Sequence, residues 1–216
     1  MVRWRRGALD AGWTARELRV LRGLDSPARI QAFLDRIAYD PVPGTGSPRR
    51  VLDERKANCF EGALFAAAVL RCLGDPPLVV DMYAVNDDDH VIAVYRRAGR
   101  WGALGKSNFT TLRSREPVYR TIRELVMSYF DFYMNLFGDL SLRSFSRPVN
   151  LARFDGRRWM TTDEDLGAIG DYLNNLTHFR VVASADVRRL SRATPALLNS
   201  SLLGAVRAGI YVPRKK

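Results

Sequence analysis

The stretch Cys59–Cys72, "CFEGALFAAAVLRC", is apolar nearly all round. A helix of that kind has no solvent face and must be covered on its sides, which makes it the centre of whatever the chain builds. Gly74 fits the C′ position, and Pro76-Pro77 forbids continuation. Both cysteines of the chain lie on this segment, Cys59 at its start and Cys72 at its end. Thirteen residues of helix separate them by roughly 20 Å, too far for a disulfide. Two cysteines are also too few for a disulfide framework.

Strand signals follow. "PLVVDMYAV" is β-branched and aromatic, and "HVIAVYRR" is apolar on both faces, as a central strand is. "RWGALGKSNF" comes after "RAGR", a short turn containing Gly99, so the last two are expected to pair as an antiparallel hairpin. Upstream, Ser26-Pro27 reads as an N-cap with proline at the first helical position, and Ile30, Phe33, Leu34 and Ile37 recur at helical spacing. "PVPGTGSPRR", residues 41–50, reads as a loop. Downstream, "VYRTIRELVMSYFDFYMNLF" predicts a long helix with Val118, Ile122, Leu125, Val126, Tyr129, Phe130 and Tyr133 on its apolar face. The tail is weaker: an extended "LRSFSRPVNLARF", a helix capped at Thr162 with Asp165 three residues on, a strand at "HFRVVA", and short helices in "SADVRRL" and "TPALLNSSLLGAV". The pattern gives an α+β fold in a single domain, 1–216, with a core over about 26–135 and a C-terminal extension over about 140–216.

Cys59 carries the chemistry. A thiolate is the nucleophile, and a helix N-terminus favours it by placing unpaired N–H groups and partial positive charge beside the sulfur. Arg55 and Lys56 lie just before it. Cys72, at the opposite helix end, reads as a packed apolar residue. A cysteine nucleophile needs a base. Of the two histidines, His90 opens a strand after "NDDD", and His178 lies in the tail as a surface or structural residue and the reserve base. The hairpin brings the start of one strand near the end of the next, so Ser107 or Asn108 in "GKSN" is expected beside His90, with Asn108 preferred because an amide oxygen accepts an imidazole N–H.

That order of residues, helix-borne Cys59 followed by "DDHVIAVYRRAGRWGALGKSN", resembles the transglutaminase-like superfamily over about Asn58 to Phe109. The leading "SPARIQAFLDRIAYD" is similar to the first helix of bacterial members. The resemblance implies a transglutaminase-like (papain-like) core with the cysteine helix packed on an antiparallel sheet, Cys59 as nucleophile, His90 as base, and Trp101 as an aromatic of the second hairpin strand. It departs from the family where an aspartate is usual as the third residue, and where Ile92 replaces a common aromatic. The implied activity is acyl transfer or hydrolysis at an amide bond through Cys59, His90 and Asn108, on a protein or peptide substrate, with no cofactor and no metal. The alternative is a catalytically inactive binding module of the same fold that docks an acidic partner through its basic surface.

Charge bears on partners. Thirty-four Lys and Arg face twenty-three Asp and Glu, a net charge of +11. This suits either a solvated basic surface or an acidic partner. No recognition helix, zinc spacing or aromatic single-strand motif accompanies the charge, which argues against nucleic acid. Arg113, Arg115, Arg120 and Arg123 are expected to pair with Glu116 and Glu124, or else to line the cleft beside Asn108. Asp87, Asp88 and Asp89 read as a polar turn rather than a calcium loop. The longest apolar run, Gly62 to Leu70, falls well short of a membrane span, and the basic N-terminus lacks the apolar centre of a signal peptide, so the expected location is cytoplasmic.

Overall fold

A computed structural model describes residues 11–214. The basic runs Arg3–Arg6 and Lys215-Lys216 lie outside the described residues. The fold is mixed α+β, an antiparallel sheet packed against helices. Its helices are α1 (Ala15–Arg22), α2 (Pro27–Arg36), α3 (Pro48–Glu54), α4 (Cys59–Cys72), α5 (Ile122–Phe130), α6 (Gly167–Asn174), α7 (Ser184–Val187) and α8 (Pro195–Ser201). A two-residue parallel ladder pairs β1 (Ala38–Tyr39) with β2 (Lys56–Ala57) just ahead of Cys59. The main sheet holds β3 (Leu78–Ala84), β4 (His90–Arg97), β5 (Arg100–Leu104), β6 (Arg115–Tyr119), β7 (Leu142–Ser146), β8 (Val149–Asn150) and β9 (His178–Arg180). Its order is β6-β5-β4-β3-β7-β9, with β8 also on β3.

The sheet buries both faces, as the strand sequences require. Val79, Val91, Ala93 and Tyr95 pack with α4 on one side. Val80, Met82, Ile92 and Val94 pack with Leu125, Val126 and Tyr129 of α5 on the other. The helix α4 is enclosed along its length, residues 61–70 being buried throughout. It starts at an Asn58–Glu61 capping box and ends with Gly74 at φ +100°. The β4–β5 hairpin turns at Ala98 and Gly99, both at positive φ, the geometry that follows the strands' twist.

Three expectations are corrected. The loop expected over 41–50 ends at Ser47, and residues 48–50 open a helix that runs to Glu54: Ser47 accepts from Arg50 N and Pro48 sits at the first position, the same signature as Ser26-Pro27. The long helix after Pro117 is a strand, β6, followed by a shorter helix. Thr121 caps that helix by accepting from Glu124 N, and Val118 is exposed on the edge strand, where proline is tolerated. Thr162 accepts from Glu164 N and does not cap α6, which begins after Asp165 accepts from Gly167 N. Residues beyond 140 contribute β7 and β9 to the same sheet, so the C-terminal extension completes one flank of it. Among the described residues no helix is long and apolar enough to cross a membrane.

Candidate active site

A cavity of about 560 Å³ opens at the N-terminus of α4. Cys59, His90, Ser107 and Asn108 all line it. Its walls come from four places: the loop 41–45, the Asp87–Asp89 turn, the segment after β5, and residues 208–211 of the C-terminal segment. The loop is stitched to the helix start. Asn58 Nδ2 donates to Gly44 O at 2.8 Å, and Glu61 Oε1 accepts from Gly46 N at 2.8 Å. Thr45 bonds Asp165 and closes that wall.

Cys59 is half-buried. Its Sγ lies 3.8 Å from Asp89 O. The thiol is pushed up to about 11, first by burial. The N–H groups of Val91 and Phe60 oppose this, while the Asp88 and Asp81 carboxylates reinforce it. The expected activation by the helix terminus is therefore outweighed, and the resting group is a neutral thiol. Cys72 is buried and is pushed up to about 12 by the same desolvation.

His90 is buried at the start of β4. Strand alternation sends its ring to the α5 face with Ile92 and Val94, opposite the face that carries α4, and it meets Tyr133 edge-on at 6.5 Å. His90 lines the cavity at the start of β4, and Sγ lies beside the backbone of the preceding residue, Asp89. Nε2 lies 2.9 Å from Leu112 O. A carbonyl only accepts, so Nε2 carries the proton and Nδ1 keeps its lone pair. Nδ1 has no hydrogen-bond partner among the described residues. Trp13 Nε1 is the one side-chain nitrogen or oxygen sealed without a partner there, so Nδ1 is not sealed, and His90 is one of the residues that line the cavity. Burial pushes the imidazole down to about 4, and a neutral ring is the resting state.

Asn108 does not hold His90. Its Nδ2 donates to Val206 O at 2.9 Å and Gly209 O at 3.0 Å, and its Oδ1 accepts from Val206 N at 2.8 Å. The group that orients the imidazole is the Leu112 carbonyl. Ser107 Oγ accepts from Phe109 N and is likewise engaged locally. His178 has both nitrogens occupied, Nδ1 at Leu176 O and Nε2 at Asp81 Oδ2, each at 2.9 Å. Both contacts are structural and His178 does not line the cavity, so the reserve base is committed to structure.

The cavity is acidic on a basic protein. Asp40, Asp87, Asp88, Asp89 and Asp165 line it, and among the described residues no Lys or Arg does. Burial, with mutual repulsion added, pushes Asp87 and Asp89 up to about 6 and raises Asp88. The turn is fixed in place. Tyr133 Oη donates to Asp88 O, Ser141 Oγ to Asp87 Oδ2, and Ala84 N to Asp89 Oδ1. Among the described residues no three His, Cys, Asp or Glu are gathered as a metal ion requires. This lining opposes an acidic ligand in the cleft. The four arginines expected either there or paired with Glu116 and Glu124 do neither. Arg113 meets Asp35, Arg115 bonds Ser128 and covers the Tyr129 ring at 3.8 Å, and Arg123 donates to Arg180 O and Val181 O. Arg120 meets Glu124 through its backbone N–H alone.

Sequence reasoning passed over Lys106. It is buried, with Nζ donating to Leu34 O at 2.7 Å and Ile37 O at 2.6 Å at the end of α2. A Cβ on Gly62 would lie 2.4 Å from Lys106 Cβ, so glycine at that helix position lets α4 pack closely against the segment after β5. No family model matches the chain, and no curated protein matches it at a significant level.

Proposed function

We propose that this cleft is a cysteine-dependent amide-processing site of the transglutaminase-like kind. One observation carries the reading: Cys59 and His90, thirty-one positions apart, line a single cavity at a helix N-terminus. Cys59 Sγ attacks a substrate amide carbonyl as its proton passes to His90 Nδ1. The C–N bond breaks, the leaving amine takes that proton, and a thioester remains on Cys59. Water then releases an acid, or a second amine forms a new amide. The Leu112 carbonyl keeps the ring in the tautomer whose free lone pair faces the cavity. Because thiol and imidazole both rest neutral, the proton moves only during attack and no thiolate–imidazolium pair is stored.

A second reading is a non-catalytic binding module. The raised thiol and the placement of the His90 ring on the α5 face favour it. An assay separates the two. Full-length protein is incubated at pH 8 with a mixed peptide pool, with and without a fluorescent primary amine, and followed for amide hydrolysis and for amine incorporation. The enzymatic reading expects turnover that Cys59→Ala abolishes and His90→Ala lowers at least a hundredfold. Turnover that survives Cys59→Ala, or none in either format, leaves the module.

A further inference from the structure

Two asparagines far apart in sequence grip one passing segment in the same way. Asn108 pairs with both the N–H and the C=O of Val206, at 2.8 and 2.9 Å. Asn86 pairs with both the N–H and the C=O of Arg214, at 2.7 and 3.0 Å. A primary amide paired to both polar groups of one residue reads the backbone, not the side chain. Main-chain capture of this sort is how extended peptides are held on a surface. Between the two clamps, Ala208, Gly209, Ile210 and Tyr211 line the cavity. After one 3₁₀ turn at Arg207–Gly209 the segment lies along the surface: Ile210 is extended (φ −99°, ψ 124°), Tyr211 is half-buried, Val212 is 77% exposed, Pro213 is buried and Arg214 is exposed. The facing wall supplies the carboxylates of the Asp87–Asp89 turn and, among the described residues, no cation. Asn86 itself sits at φ +57° at the entry to that turn, so clamp and charge belong to one element.

We propose that the cleft is a docking groove for a cationic polypeptide segment, clamped through its backbone by Asn86 and Asn108, and that residues 206–214 fill this groove in cis. An incoming peptide displaces them. The groove stands whether or not Cys59 is a nucleophile. If it is, the tail keeps the site latent.

The test uses the full chain with its tail released and its clamps intact. Val206→Pro removes the N–H that Asn108 accepts, at a φ of −81° that proline tolerates. Tyr211→Glu adds a negative charge against the acidic wall. A fluorescent synthetic peptide with the sequence of residues 203–214 is titrated by anisotropy. The expected result is binding at least tenfold tighter to the tail-released protein than to wild type. Adding Asn86→Gly and Asn108→Ala to the released protein is expected to abolish it, and a peptide carrying Arg207→Glu and Arg214→Glu is expected to bind at least tenfold more weakly. Equal binding to wild type and released protein, or binding indifferent to the asparagines, overturns the proposal. Hydrogen exchange on wild type adds a readout free of folding defects in the multiple variants. The Val206 and Arg214 amides are expected to be protected, and fast exchange at both would also overturn it. Peptide binding by Cys59→Ala protein separates failure of the groove from failure of the amide chemistry.

Discussion

The neutral resting state of Cys59 has a measurable consequence for its reactivity with pH. Only the thiolate is alkylated by iodoacetamide. With the thiol pushed up to about 11, the ionised fraction at pH 7.5 is on the order of 3 × 10⁻⁴, against roughly 0.1 for an unperturbed cysteine near 8.5. Cys59 should therefore react ~300-fold more slowly than a small-molecule thiol at that pH, before any shielding by the tail. Shielding scales the rate but not its slope, so the slope is the safer observable. The logarithm of the rate should climb by one per pH unit through pH 9 without a plateau. Asp88→Asn removes the first-ranked carboxylate acting on the sulfur and should shift the profile toward lower pH. The assay is peptide mapping of alkylated protein over pH 6.5–9.5, which resolves Cys59 from Cys72. A plateau below pH 8 would refute the reasoning, since it would mean that the Val91 and Phe60 N–H groups outweigh burial and the carboxylates.

Two further predictions concern the packing of Lys106 against α4 and the end of α2. Gly62→Ala drives a Cβ to 2.4 Å from Lys106 Cβ and should cost about 1–3 kcal/mol as overpacking, read by thermal melting. Lys106→Met leaves Leu34 O and Ile37 O without their donor, at a cost of about 1–3 kcal/mol in urea melts. Burial pushes Lys106 down to about 8, below its unfolded value of about 10.4. Between those pH values the unfolded chain holds the proton and the folded one does not, so this group adds stability as pH rises. The deficit of Lys106→Met should accordingly be larger at pH 9.5 than at pH 7.5, and an equal or smaller deficit would contradict the assignment.

The parts of the fold that were legible in sequence are those set by local chemistry. The all-round apolar stretch from Cys59, its Gly74 stop, and the Ala98-Gly99 hairpin each state their geometry within a few residues. The helix at Pro48 was equally legible, because Ser47-Pro48 repeats the Ser26-Pro27 signature, but it was hidden by a loop rich in Pro and Gly. The long helix after Pro117 failed for a different reason. Apolar residues at helical spacing ran through a strand, and the Thr121–Glu124 capping signal marked the true start. At the site, Cys59 and His90 stand out because their residue types are rare in this chain, and both line the one cavity. Asn108 was misassigned because its partners lie about a hundred positions away, at Val206 and Gly209. The Asp81–His178 pair and the Lys106 contacts are equally non-local, and no spacing rule announces them.

The central claim is that His90 offers a free Nδ1 lone pair to the cavity that holds Cys59. With only two histidines in the chain, ¹⁵N-histidine NMR tests it most directly. The account predicts that His90 is the Nε2–H tautomer, stays neutral down to about pH 4, and shows an Nδ1 shift that changes when Cys59 is alkylated. A protonated Nδ1 at neutral pH, or an Nδ1 resonance indifferent to Cys59, would contradict it.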